Sequence, residues 1–276
     1  MHMKLTIRPL TKTVSKLKTL QIFYGLIGIF LFSIFFYIYK QEQNSVYIYV
    51  TALLSDGKDI FVAAPYWVAN TISKGTKDKS ILGKTNAELI DVETYEGGSH
   101  GKHVILRLKL SAIKDRFGSL YYKNQQLEVN KWLDLKLGQI DEKIYVVYLG
   151  AKLQDSNKHR YRIIISKKSE EPYVVNNLKV NDEMVNNKGE ILAKIISLKS
   201  TPAEIRSPSD ASPLSISYDP LKKDLLLEVD ILTNLREGIE YFGELRKLRA
   251  GESINLFFPQ ATLWDAVITS VMKLNQ

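Results

Sequence analysis

From residue 45 onward, apolar and polar positions alternate in short runs. "VILRLKL" at 104–110 and "INLFF" at 254–258 are typical. A period of two places alternate side chains on opposite faces, so these runs are predicted as strands with one buried face. They are rich in Val, Ile, Leu, Tyr and Thr and are separated by glycine- or proline-bearing breaks. "VANTI" at 68–72 and "EYFGELRKL" at 240–248 are predicted as short helices that cap a barrel end. Before residue 45 the pattern changes. Ile22 to Tyr39 is apolar on every face and carries no charge.

That segment, "IFYGLIGIFLFSIFFYIY", has 18 uncharged residues, and Leu20 and Gln21 extend it. At 1.5 Å per residue it covers about 27–30 Å, the thickness of one hydrocarbon core. Tyr24, Tyr37 and Tyr39 lie towards its ends, where aromatic rings favour the head-group level. A cleaved signal peptide would have a shorter apolar run and a small-residue site after it, whereas this run ends in "FFYIYKQEQ". Residues 20–40 are therefore read as an uncleaved transmembrane helix. Five Lys or Arg precede it, while Lys40 and Glu42 follow. The positive-inside rule leaves residues 1–19 as a basic cytoplasmic tail and places the rest outside.

The body contains an internal repeat. "ISKGTKDKSILGKTNAELIDV" at 72–92 aligns without a gap on "LKVNDEMVNNKGEILAKIISL" at 178–198. Gly83 meets Gly189, Ala87 meets Ala193, and Leu89 meets Ile195. "PYWVAN" at 65–70 resembles "PYVVNN" at 172–177, and "HVILRLKL" at 103–110 resembles "DLLLEVDI" at 224–231. The offset rises from 106 to about 120 across "STPAEIRSPSDASPLSISYDP" at 200–220, an insertion in the second copy. The glycine before the repeated strand suits a turn with positive φ. The fold class is thus mainly β: one N-terminal transmembrane helix, then two tandem, internally repeated small β-barrel or sandwich domains of about six strands. The boundaries are 41–152 and 153–276, with the insertion in the second.

"APYWVANTISKGTKDKSILGKTNAELIDVETY", with "VILRLKL" and "YYKNQQLEVNKWLDLKL", resembles a family of uncharacterised bacterial single-pass membrane proteins. Those have an N-terminal transmembrane helix and a β-rich extracytoplasmic region. The resemblance implies a bacterial inner-membrane (cytoplasmic-membrane) location and no activity. "LKVNDEMVNNKGEILAKIISL" looks, more weakly, like the turn-strand element of mammalian-cell-entry lipid-transport domains. Their second glycine is replaced near Ala193, and their apolar pore loop is absent from the sequence.

Charge adds little to the body. The chain is +8 overall, but Lys4, Arg8, Lys12, Lys16, Lys18 and Lys40 lie in the first 40 residues, which hold no acid, so the remainder is +2. That does not indicate a nucleic-acid surface. Absence of cysteine excludes thiol catalysis and cysteine-ligated zinc.

Candidate chemistry is sparse. His100 and His103 form H-x-x-H, a spacing at which two imidazoles can share a metal, but a turn and a strand start need not bring them together. Ser99 beside His100 lacks a nucleophile elbow. Asp91 and Glu93 are read as an exposed polar strand face. Tyr66, Trp67, Tyr121, Tyr122, Trp132, Tyr241, Phe242 and Trp264 recur at corresponding places, which core packing predicts, with some left for a partner surface. No catalytic, cofactor or metal residue is assigned.

The expectation is a non-catalytic membrane-anchored envelope protein that binds or spaces other envelope proteins or further copies of itself. The alternative is a lipid- or hydrophobe-handling module. The insertion carries the candidate partner-binding loop: Glu204, Ile205, Arg206, Leu214 and Ile216. Prolines 202, 208, 213 and 220 restrict that loop before it docks.

Overall fold

The computed structural model describes residues 11–43, 45–55, 59–98, 101–154, 157–209 and 212–274, without the side chains of 11–22, 38, 41–43, 205–209 and 212–216. The chain is mainly β, with two curled half-barrel sheets in tandem.

Helix α1 (Thr11–Gln43) comes first. The first half-barrel holds β1 (Ser45–Leu54), β2 (Ala64–Pro65), α2 (Tyr66–Thr71), β3 (Lys77–Lys79), β4 (Thr85–Glu96) and β5 (Gly101–Lys114). It continues with β6 (Leu120–Tyr122), β7 (Gln125–Gln126), β8 (Trp132–Leu137) and β9 (Ile140–Gly150). The second holds β10 (Lys158–Glu170), α3 (Pro172–Asn177), β11 (Glu183–Val185), β12 (Ile191–Ser209) and β13 (Ser212–Arg236). It closes with β14 (Ile239–Phe242), β15 (Arg246–Lys247), β16 (Ser253–Phe257) and β17 (Thr262–Lys273).

The main strand order is β3-β4-β5-β1-β9-β8 in one sheet and β11-β12-β13-β10-β17-β16 in the other, all antiparallel. The repeat therefore holds at the level of register. Gly83 and Gly189 have φ of 85° and 77°, and each amide closes its turn, on Ser80 O and Asn186 O. Ala87 and Ala193 are both fully buried. The Leu89 amide donates to Thr76 O at 2.9 Å, and the Ile195 amide to Asp182 O at 3.0 Å.

The alternation seen in the sequence sets the cores. Val104, Leu106, Leu108 and Leu110 point into the first half-barrel, with Leu133, Leu135 and Ile144 from β8 and β9. Leu225, Leu227, Val229 and Ile231 do the same in the second, with Ile254, Leu256 and Ile268. Short helices cap each unit: α2 buries Val68 and Ala69, and α3 buries Val174 and Val175.

Several expectations change. "EYFGELRKL" is not helical: it forms β14, a tight turn and β15, because its buried Phe242 and its partners follow hairpin register. Of the recurrent aromatics, only Tyr122 and Phe242 are buried, while Trp67 is 70% exposed. In the helix Trp67 takes the place of Tyr173, which is also exposed, and the buried face of α2 is supplied by Val68 and Ala69, so the indole is left outside. The described part of the insertion, 200–209 and 212–220, is not a loop: β12 and β13 run on through it as a two-stranded ribbon, with Glu204 opposite Tyr218 and Arg206 opposite Ile216.

All described side chains from Phe23 to Tyr37 are exposed. Among the described residues no helix is long and apolar enough to cross a membrane. The segment expected to do so, 20–40, includes side chains at 20–22 and 38 that lie outside the description.

Candidate functional site at the junction of the two half-barrels

The lower half of β5 breaks the alternation. Val104, Ile105 and Leu106 are all buried, because one face fills the first core and the other meets the second half-barrel. Leu53, Tyr95, Ile105 and Val147 belong to the same apolar cluster as Phe242, Phe257 and the rest of the second core.

Polar groups fix the register of this junction. The Thr94 amide donates to Asn187 Oδ1 at 2.9 Å, and the Asn187 amide donates back to Thr94 O at 2.8 Å. Tyr95 and Asn186 form an isolated bridge between the sheets. Lys188 Nζ reaches Asp91 Oδ2 at 2.6 Å, and Arg107 Nη1 lies 2.7 Å from the same oxygen. Arg236 Nη1 donates to Val147 O at 3.3 Å.

Asp91 and Glu93 are thus not an exposed strand face. Glu93 is 4% exposed and Arg107 is 9% exposed, with 3.9 Å between Oε2 and Nη2. Burial alone would raise the Asp91 pKa, but hydrogen bonds from Lys188 and Arg107 hold it below the usual carboxylate value. Across the junction Glu244 is 2% exposed and accepts from Asn234 Nδ2 at 2.9 Å. Burial raises its pKa; Arg107 and Arg236 oppose that, and the Glu93 charge adds to it.

His103 lies between the Tyr95 ring, 5.0 Å away, and the Phe257 ring, 5.4 Å away. Burial, then Arg246, lowers its pKa to about 4, so it packs as a neutral ring. Its H-x-x-H partner His100, and Ser99, lie outside the described residues. Among the described residues no group of three His, Asp and Glu is arranged to hold a metal ion.

Gly243 marks the closest approach. With φ at 58°, a Cβ there would collide with the Tyr95 hydroxyl. Its counterpart in the first copy is Lys123, also at positive φ (45°), where a Cβ is accommodated. Arg246 stacks on Phe61 at 3.8 Å and borders a small, partly open pocket of about 40 Å³ beside Tyr95 and Phe257.

An open cleft of about 560 Å³ crosses the outer edge of the junction. Both copies line it: Tyr66 and Glu96 from the first, and Glu170, Tyr173, Phe258 and Trp264 from the second. Tyr66 Oη donates to Glu96 at 2.6 Å, and Trp264 packs edge-on against Phe257 at 5.2 Å. Among the described residues that line this cleft there is no lysine or arginine. Lys102 Nζ sits 5.9 Å from the centroid of the Tyr66 ring. Exposed aromatic faces beside two carboxylates suit a ligand that offers cationic or hydroxyl-rich groups.

Of the insertion residues selected from the sequence, Glu204 is the one whose side chain is described, and it does not line this cleft. Glu204 is half-buried, with its amide 3.4 Å from Asp224 Oδ2. Ile205, Arg206, Leu214 and Ile216 are placed by backbone only, on the ribbon. The cleft was missed because Tyr66 and Trp264 are far apart in the chain. The available signal was the break in alternation at Val104–Leu106 and the exchange of Lys123 for Gly243. No protein-family model matches the chain, and no curated protein or solved structure matches it.

Proposed function

We propose that the protein is a non-catalytic, membrane-anchored binding module of a bacterial envelope, with α1 in the cytoplasmic membrane and the half-barrels outside. Its two half-barrels are locked together to present the junction cleft to an envelope partner. The observation that carries this reading is that both copies build the cleft, while reciprocal backbone hydrogen bonds and a buried ion cluster hold the copies in one register. The anchor is supported by the uncharged run Ile22–Tyr39 and by the exposure of every described side chain from Phe23 to Tyr37. α1 ends at Gln43 and β1 starts at Ser45, so the anchor leads almost directly into a central strand.

The test is a photo-crosslinking amino acid at Tyr173, which is 68% exposed, in the full chain in native membranes. A second copy of the experiment places it at Leu221, which is 73% exposed and away from the cleft. The expected result is one adduct specific to position 173 that disappears in the Glu96→Gln, Glu170→Gln double variant. Equal adducts at 173 and 221, or none at 173, would overturn the cleft as the partner site. Extraction of the chain by alkaline carbonate would overturn the anchor separately.

A further inference from the structure

The two half-barrels use the same end differently. In the second, the turn between β11 and β12 is Asn186-Asn187-Lys188-Gly189, and it docks on the first half-barrel through Thr94 and Asp91. The turn at the equivalent place in the first is Ser80-Ile81-Leu82-Gly83, between β3 and β4. Its polar docking residues are replaced by apolar ones, and it docks on nothing described. Ile81 is 96% exposed. The neighbouring turn repeats the contrast. At the end of β13, Arg236 contacts Val147 across the junction. After β5, the corresponding turn carries Arg116 and Phe117, and Phe117 is 93% exposed. Ile81 and Phe117 are the two most exposed large apolar side chains described on the half-barrels.

Both turns stand where α1 enters. Ser45 begins β1 and pairs with Ile113 near the end of β5, just before the Phe117 turn. Lys84, directly after the Ile81 turn, places Nζ 2.5 Å from Ser45 Oγ. The same end exposes Lys79, Lys114 and Arg116. Among the described side chains the nearby acids are engaged: Asp115 Oδ1 accepts from the amides of Phe117 and Ser119, and Asp78 pairs with Lys123 at 2.8 Å. Apolar tips ringed by cations, at the foot of an apolar helix, match the head-group boundary of a bilayer.

We propose that this end of the first half-barrel rests on the membrane surface, with Ile81, Leu82 and Phe117 inserted at the head-group level. The first half-barrel thereby docks on lipid through the end that the second uses to dock on the first. This rests on the reading of α1 as the anchor. It makes the body stand in a fixed pose on the bilayer and not swing from the anchor.

The chain has no cysteine, so single substitutions can be labelled cleanly. Spin labels are placed by Ile81→Cys, Phe117→Cys, Ile29→Cys and Leu221→Cys in the full chain, reconstituted in vesicles of phosphatidylcholine and phosphatidylglycerol. Depth is read from relative accessibility to oxygen and to a water-soluble nickel complex. The expected result is position 29 deep in lipid, positions 81 and 117 at the interface, and position 221 in water. If 29 is in lipid while 81 and 117 match 221, the surface contact is wrong and the anchor stands. If 29 is also in water, the anchor reading fails and this one with it.

Discussion

The first half-barrel owns its core, whereas the second shares one. Every member of the first apolar cluster, from Val50 to Val146, lies in the first copy. The second cluster includes Leu53, Tyr95, Ile105 and Val147 from its neighbour. Strand order, positive-φ turns and buried alanines are the same in both copies. Core packing tolerates little change, because a lost methylene or a misplaced charge costs on the order of 1 kcal/mol or more. The ends are free to change, and that is where the copies differ: the end that binds a protein surface carries asparagine and lysine, and its counterpart carries isoleucine, leucine and phenylalanine.

The sharpest way to break this pairing is Arg107→Ala. It removes the cation between Asp91 and Glu93, both within 4 Å. A buried carboxylate left without its partner costs about 3–5 kcal/mol. The equivalent place in the second copy is Glu228, which is only half-buried, so Glu228→Ala should cost about 0.5 kcal/mol or less. Denaturant unfolding of the two variants measures the difference.

Acid is the next largest lever. His103 has a folded pKa of about 4 against an ordinary 6.5. Its contribution is fully present above pH 6.5 and is lost as pH falls towards 4, a change of about 3 kcal/mol. Glu244 acts in the opposite sense, since burial raises its pKa. Its contribution is present below the ordinary carboxylate value and is lost as pH rises. His103→Gln should flatten the acid limb of the stability profile, and Glu244→Gln should stabilise at neutral pH.

Gly243→Ala should cost about 2 kcal/mol, from positive φ and collision with Tyr95. Lys123→Arg, at the matching turn, keeps a cation beside Asp78 and should cost well under half of that. Thermal unfolding separates them. The smallest effect tests sameness: Gly83→Ala and Gly189→Ala should each cost about 1 kcal/mol, and by similar amounts, because both have positive φ and open space at Cβ.

Much of the fold was legible because alternation and repetition are local signals. "VILRLKL" and "INLFF" are strands in the structure, and the pairing of Gly83 with Gly189 and Ala87 with Ala193 holds in register. "EYFGELRKL" misled because its apolar spacing fits a helix, while a positive-φ Gly-Glu turn made it a hairpin. The ion cluster was not legible, since Asp91, Glu93 and Arg107 read as ordinary outward strand positions until a second unit covers them. The cleft was hidden for the same reason: it exists only where two copies meet.

The two half-barrels meet at a rigid junction. Amide hydrogen exchange of the full chain in bilayer discs tests it at two backbone groups, Thr94 and Asn187, whose hydrogen bonds run only between the half-barrels. Both amides should be protected to within about tenfold of core amides such as Leu108 and Ile163. Exchange of Thr94 and Asn187 at the rate of an exposed turn, with the two cores still protected, would show two units that move apart and would contradict the shared junction.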